Sequence, residues 1–272
     1  MYAWIDGRLI DPTSPALPVT DHGVTVGDGV FETVKVVEGQ PFALVRHLDR
    51  LRRSAAGLGL DRVDETAVRQ GITEVLAAGR LRLGRLRVTL TAGPGPMGSG
   101  RGGAEPTVIV VAEEVMPAEE ETTVVTVPWV RNERGALTGL KTTSYGENVI
   151  ALAEARRHGA TEAIFANTRG HLCEGTGSNV FYVRDGELRT PTLPAGCLAG
   201  VTRALILEWY GAREVDEPLE LVQREAEEVF LVSTLRDVQA VTRWDGRVLP
   251  HGAVTAAVRA VWRREEPGLL GA

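Results

Sequence analysis

Apolar and polar positions along the chain follow two periods, and the switches between them delimit the elements. "AWIDGRLI" (3–10) alternates and predicts a hairpin turning at Asp6-Gly7. "GVFETVKVV" (29–37) and "PFALV" (41–45) read as two strands joined at Glu38-Gly39. From about Arg46 the period lengthens. Leu48, Leu51, Ala55 and Leu58 recur near helical spacing, with a stop expected at Gly57 to Gly59. "ETAVRQGITEVLAAG" (65–79) predicts a second helix. Strands over "GRLRVTLTAG" (84–93) and "PTVIVVAEEV" (106–115) follow, separated by a glycine-rich loop. "MPAEEE" has a proline, a charge run and no period, which sets the expected domains at 1–115 and 123–272 with a linker over 116–122.

Beyond the linker, "TVVTVPWV" (123–130) is a strand, and "GENVIALAEARRHG" (146–159) is a helix. Ser144 and Glu147 fit a capping box ahead of that helix, and Gly159 fits its stop. "ATEAIFAN", "LCEGTGSNVFYV" and "ELRTP" predict strands, with turns at "TRGH" and "RDGE". A short helix over "GVTRALILEWYG", a strand over "AEEVFLVST" and a terminal helix over "GAVTAAVRAVWRR" complete the chain. Mixed strands and helices with many hairpin turns argue an α+β fold rather than a doubly wound one.

Composition narrows the function classes. The chain has 272 residues, 43% apolar and 24% charged, enough for two ordinary globular domains. A net charge of −6 gives no basic footprint for nucleic acid. Cys173 and Cys197 have no metal-ligand spacing and are too few for a disulfide framework, so both are expected to be ordinary thiols. The N-terminus alternates like a strand rather than a signal peptide, and no apolar run approaches membrane-spanning length, which leaves the cytoplasm as the expected compartment.

One residue type stands out by its scarcity. Of 30 basic residues, only Lys35 and Lys141 are lysine. Arginine cannot lose its proton in a protein, whereas a lysine of lowered pKa is an amine nucleophile. Lys141, in "LKTTSYGENV", is therefore a candidate for chemistry, while Lys35 reads as a chance survivor. Around it lie weaker signals. Gly200 precedes a helix start, so the amides of Val201 and Thr202 and the Thr202 hydroxyl could bind an anion. Glu174 sits beside glycines in a strand, where a ligand can approach the backbone. Arg46 heads a helix against its dipole, an objection that a bound phosphate would remove. Ser233 and Thr234 follow an apolar strand. Each has an ordinary reading as well: a glycine-opened helix, an edge-strand acid, a snorkelling arginine with His47 packed beside it, a helix cap at Thr234. The literal G-x-G-x-x-G at 93–98 is no dinucleotide site, because two prolines interrupt it and no helix follows. The 92–104 stretch is expected to be a long hairpin loop. Taken together, a reactive amine, an anion cradle and a carboxylate are the parts that pyridoxal phosphate requires; no metal is called for.

"TVGDGVFETVKV", "LVRHLDRL", "LKTTSYGENV", "EGTGSNVF", "AGVTRALILEW" and "STLRDVQAV" together resemble the class IV aminotransferases, the fold-type IV pyridoxal phosphate enzymes, in order and approximate spacing through nearly the whole chain. The resemblance implies two α/β domains of the D-amino acid aminotransferase type, a cofactor in the cleft between them, a homodimer and a small-molecule amine substrate. It places Lys141 as the lysine that forms a Schiff base with the cofactor and Glu174 on the pyridine nitrogen. Arg46, Val201, Thr202 and Thr234 fall on the phosphate, and Tyr145 on the ring hydroxyl. "GDGVFETVKV" and "STLRDVQAV" are most similar to the 4-amino-4-deoxychorismate lyases, with Thr33 where branched-chain enzymes tend to carry glycine. This implies release of pyruvate and 4-aminobenzoate in folate biosynthesis, Thr33 assisting proton delivery, and Arg87 and Arg101 as candidates for substrate carboxylates. "LKTTSYGENV" is closer to the D-amino acid and branched-chain aminotransferases, which keeps amino-group transfer as the rival. A non-catalytic ligand-binding protein on the same fold is the third reading.

Overall fold

The computed structural model, which describes residues 1–60 and 62–272, divides the chain into two units. The first comprises Met1–Pro117, Leu140–Ser144 and Gly268–Ala272; the second comprises Ala118–Gly139 and Tyr145–Pro267.

The first unit carries strands β1 (Tyr2–Ile5), β2 (Arg8–Ile10), β3 (Gly29–Val37), β4 (Gln40–Pro41), β5 (Leu83–Thr91) and β6 (Thr107–Glu114), with helices α1 (His22–Thr25), α2 (Leu44–Gly57) and α3 (Glu65–Ala78). The strands form one antiparallel sheet in the order β2-β1-β6-β5-β3-β4. Alternation assigns its two faces. Val30, Val34 and Val36, with Leu86, Val88, Leu90 and Val110, bury against Leu48, Leu51 and Ala55 of α2 and Val68, Ile72 and Val75 of α3. The opposite face carries Phe31 and Thr33, paired in register with Thr89 and Arg87.

Two local expectations give way here. "PFALV" is not a strand: β4 ends at Pro41, and α2 begins at Leu44, earlier than Arg46. The reversal occurs at Ala43, whose φ of 48° lies in the left-handed region, so the apolar residues after it enter a helix. The Lys141 segment, expected in the second domain, groups with the first unit. The Phe31 N–H donates to the Lys141 carbonyl (2.9 Å) and the Thr143 N–H to the Gly29 carbonyl (2.8 Å), which adds a short strand-like rung along β3.

The second unit contains β7 (Glu121–Arg131), α4 (Gly146–Arg157), β8 (Glu162–Asn167), β9 (Leu172–Gly175), β10 (Asn179–Arg184), β11 (Glu187–Thr190), α5 (Val201–Trp209) and β12 (Arg213–Glu214). It continues with α6 (Leu219–Glu225), β13 (Glu228–Ser233), β14 (Asp237–Trp244), β15 (Arg247–Val248) and α7 (Ala253–Glu265). β7 begins inside the expected linker, and α6 had no counterpart in the sequence reading. Nine strands form a mixed sheet ordered β12-β11-β10-β13-β14-β7-β8-β9, with β15 on β14. "LCEGTGSNVFYV" splits at residues 176–178 into β9 and β10, which lie far apart in that order. Three residues span about 10 Å at most, so the sheet curls to bring the two together. Its core is Val124, Ile164, Tyr182, Leu231 and Trp244 with α6, and Phe165 with Ala151 and Ala155 of α4.

The capping box ahead of α4 does not form. Tyr145 occupies the N-cap and its side chain does not cap the helix, and the Ser144 hydroxyl donates instead to the Gly27 carbonyl at 3.1 Å. Among the described residues no helix is long and apolar enough to cross a membrane.

Candidate active site

Lys141 is half-buried, and its backbone is fixed on both sides. Its N–H donates to Ser54 Oγ (3.1 Å) on α2, and its carbonyl accepts from Phe31 on β3. This strand-like rung points its amine over the Phe31 ring, 4.3 Å from the centroid. Arg87 lies over the same ring at 3.7 Å. An aromatic face attracts cations electrostatically, so one ring holds two of them. Arg87 Nε also donates to Thr89 Oγ1 at 3.2 Å. Thr33, half-buried, is the register partner of Arg87 on this face. The structure therefore brings Lys141, Arg87, Phe31 and Thr33 together on one side of the sheet.

On the core side of β3 is a polar centre that the sequence reading passed over. Glu32 is fully buried. Arg50 grips it bidentately (Nε to Oε1, 2.6 Å; Nη2 to Oε2, 2.7 Å), and His47 Nδ1 lies 2.8 Å from Oε2. Burial opposes the charge on Glu32, but Arg50 and the hydrogen bonds from Arg50 and His47 outweigh it and pull the carboxyl down to about 2. Burial lowers His47 from its ordinary value, against the pull of Glu32. A neutral His47 donating Nδ1–H to this carboxylate leaves Nε2 as an acceptor, and that atom is buried with no hydrogen-bond partner among the described residues. The signal was present in the sequence. Glu32 is the one charge on the 30, 32, 34, 36 parity of a core strand, and His47, Arg50 and Ser54 share a helix stripe at i, i+3 and i+7.

Arg46 stands half-buried in the first turn of α2, one turn before Arg50. Arg101 has a different task from the one expected. Its guanidinium holds Asp28 bidentately (2.7 and 2.6 Å) and donates to the Gly59 (2.6 Å) and Leu58 (2.8 Å) carbonyls. It thereby pins the 92–104 loop and neutralises a carboxylate of its own chain. The bonds from Arg101 hold Asp28 below the usual carboxylate range, against burial.

In the second unit Glu174 lies on β9 opposite Phe165 of β8. Its Oε2 accepts the Leu198 N–H at 2.9 Å. Arg131 Nε is 3.1 Å from Oε1, near enough to pair charges though out of line for a hydrogen bond, and the same guanidinium lies 4.0 Å from the Phe165 ring centroid. Arg131 was not among the expected site residues. Val201 and Thr202, both buried, are the first two residues of α5. Gly200 caps that helix without a side chain, and a Cβ there would fall 2.0 Å from Asn179 Oδ1, so any larger residue displaces the Asn179 amide. Thr234 is half-buried in the turn between β13 and β14, not at a helix start, and Tyr145 is half-buried at the head of α4. Both cysteines are buried. Desolvation and the Glu174 charge push Cys197 up to about 12 and Cys173 higher still, so neither is a thiolate at neutral pH.

These donors match the chemistry of pyridoxal phosphate group by group. The half-buried Lys141 amine suits its aldehyde, and a helix of nine residues opened by glycine suits its phosphate. The Glu174 carboxylate suits its ring nitrogen. The buried acceptor at His47 Nε2, without a donor among the described residues, suits a bound polar group.

A sequence model described as amino-transferase class IV matches residues 29–244. A Methanocaldococcus jannaschii protein named as a branched-chain-amino-acid aminotransferase is 32% identical over 263 residues, covering 93% of this chain and 91% of the relative. The aminodeoxychorismate lyase of Bacillus subtilis is 27% identical, covering 98% and 95%. Among solved structures, the branched-chain aminotransferase of Thermoproteus uzoniensis with norvaline superposes with a TM-score of 0.90 at 30% identity, covering 98% of this chain and 95% of that one.

Proposed function

We propose a reaction for this chain from one established premise: it belongs to the class IV amino-transferase family, whose members depend on pyridoxal phosphate. In our reading Lys141 bonds the aldehyde carbon of that cofactor and Glu174 takes the ring nitrogen. Val201, Thr202 and Thr234, with Arg46 on α2, hold the phosphate. Tyr145 serves the ring hydroxyl. When bound, the cofactor withdraws electrons from the carbon beside the nitrogen it has captured, which makes a proton there removable. The Lys141 amine would be the general base for that proton. The Glu174 carboxylate keeps a proton on the ring nitrogen by opposite charge.

The substrate we infer is 4-amino-4-deoxychorismate, cleaved to pyruvate and 4-aminobenzoate. The observation that carries this reading is the pairing of Thr33 with Arg87 on the sheet face that holds the Lys141 amine. A hydroxyl there can pass a proton to the leaving group, and a guanidinium can bind a substrate carboxylate through two hydrogen bonds. Amino-group transfer from branched-chain or D-amino acids is the second reading. It is favoured by the 32% identity to the named branched-chain aminotransferase and by the norvaline-bound neighbour. Incubation with aminodeoxychorismate decides between them. Pyruvate with 4-aminobenzoate supports the lyase; glutamate formed from 2-oxoglutarate, with neither product, overturns it.

We also propose a cytoplasmic homodimer. Exposed apolar residues support the pairing: Val149 and Ile150 on α4, with Trp129 and Val130 on β7. Light scattering at twice the 29.3 kDa chain mass is expected, and a monomer at micromolar concentration would contradict it.

A further inference from the structure

The second unit contains a buried carboxylate that none of these roles uses. Glu162 opens β8 and is 1% exposed. Its Oε1 accepts the N–H groups of Ala163 (3.0 Å) and Thr176 (3.1 Å) and the Thr176 hydroxyl. Its Oε2 accepts the Ser178 hydroxyl (3.2 Å) and Arg236 Nη2 (3.2 Å). Apart from Ala163, these donors belong to two turns: residues 176–178 between β9 and β10, and residues 234–236 between β13 and β14. The first turn begins two residues after Glu174, and the second contains Thr234.

Such a carboxylate could serve stability alone, but its partners argue for more. A buried charge must be paired and hydrogen-bonded, and donors on its own strand or on neighbouring rungs would suffice for that. Here most come from two separate turns between strands, which the chain links only through some sixty residues. Each turn is also fitted closely. At Gly175 a Cβ would fall 2.3 Å from Ser178 Oγ, and the Gly175 N–H donates to the Ser178 carbonyl at 2.8 Å. Arg236 continues from Glu162 to Gln239 Oε1, and Gln239 Nε2 donates to the Glu119 carbonyl at 2.7 Å. One carboxylate thus fixes the segment behind the candidate ring-nitrogen acid relative to the segment that carries a candidate phosphate contact.

We propose that Glu162 is a positioning residue: it locks the 176–178 and 234–236 turns into one arrangement, so that Glu174 and Thr234 present their groups to the cofactor together. The proposal rests on the pyridoxal phosphate reading above. It touches no reacting atom and acts through the two turns.

Glu162→Gln tests it with little change of shape. The amide oxygen can still accept from Thr176 and Ala163, but the amide nitrogen then faces Arg236, donor against donor, which releases the 234–236 turn. In the cofactor-free protein, amide hydrogen exchange is expected to rise at both turns while the interiors of β8 and β10 keep their protection. The dissociation constant for pyridoxal phosphate, followed by quenching of intrinsic fluorescence, is expected to rise about tenfold. Arg236→Gln should weaken binding similarly, and the double variant should add little beyond either alone. Exchange raised across the whole sheet with unchanged cofactor affinity would overturn the proposal and leave Glu162 a purely structural residue. A wild type that binds no pyridoxal phosphate would overturn the cofactor reading and this one with it; a wild type that binds it no more tightly than the variant overturns the role of Glu162 alone. Should Glu162→Gln fail to fold, Ser178→Ala and Arg236→Gln each remove one donor and carry the same measurements, with unchanged affinity in both again contradicting the proposal.

Discussion

Two buried carboxylates, one in each unit, solve the same problem in different ways. Glu32 and Glu162 are both essentially shielded from water, and both sit on strands among apolar neighbours. Glu32 is satisfied by charge and imidazole from one helix, Arg50 and His47 of α2. Glu162 is satisfied by hydroxyls, one backbone amide and one guanidinium drawn from turns, with a second amide from its own strand. The first arrangement fixes ionisation and tautomer on the helix whose Ser54 also holds the Lys141 backbone. The second fixes shape where the chain has no regular hydrogen-bonding pattern of its own. A buried acid is therefore read by the origin of its donors: a single helix points to charge tuning, scattered turns point to geometry.

The largest expected effect separates the two. Glu32→Ala leaves the buried Arg50 without its partner and should cost about 3–5 kcal/mol in urea unfolding of the cofactor-free protein. A loss below about 1 kcal/mol would mean that the centre carries little charge. Next comes acid sensitivity. His47 has a folded pKa below its usual 6.5, so it is neutral in the fold, and its contribution is lost as pH falls below that value. Glu32 is depressed from 4.5 to about 2, so its contribution is complete above 4.5 and disappears as pH falls toward 2. Glu32→Gln should remove the lower part of that acid limb, whereas Glu162→Gln should loosen the two turns and weaken cofactor binding. Urea midpoints measured at stepped pH show whether the limbs separate. A control away from both acids follows: Arg101→Ala, which frees Asp28 and the 92–104 loop, should cost about 1 kcal/mol and raise loop proteolysis. Ser144→Ala should be the smallest, below about 0.5 kcal/mol, because this serine does not cap α4. A loss near 1 kcal/mol in thermal unfolding would restore the capping box.

Much of this was legible in the chain. Alternation located β3, β5 and β6, and the 48, 51, 55 spacing located α2, because one buried face imposes its period on the residues. Lys141 was legible through the scarcity of lysine. What was missed depends on partners distant in sequence or on backbone geometry. Nothing about an alanine announces the positive φ at residue 43. The Ser144 hydroxyl finds Gly27, far from any local helix signal, and the first-unit location of Lys141 follows from its rung on β3. The Glu32–His47–Arg50 centre was written in the parity of one strand and the stripe of one helix, but it emerges only when the two patterns are read against each other.

The central claim, that the amine at 141 captures an aldehyde, can be tested directly because the chain contains only two lysines. Pyridoxal phosphate is added, the adduct is reduced with borohydride, and the digested protein is mapped by mass spectrometry. The account predicts one modified residue, Lys141, with loss of the absorption band at the edge of the visible. Modification at Lys35, or none at all, would contradict it.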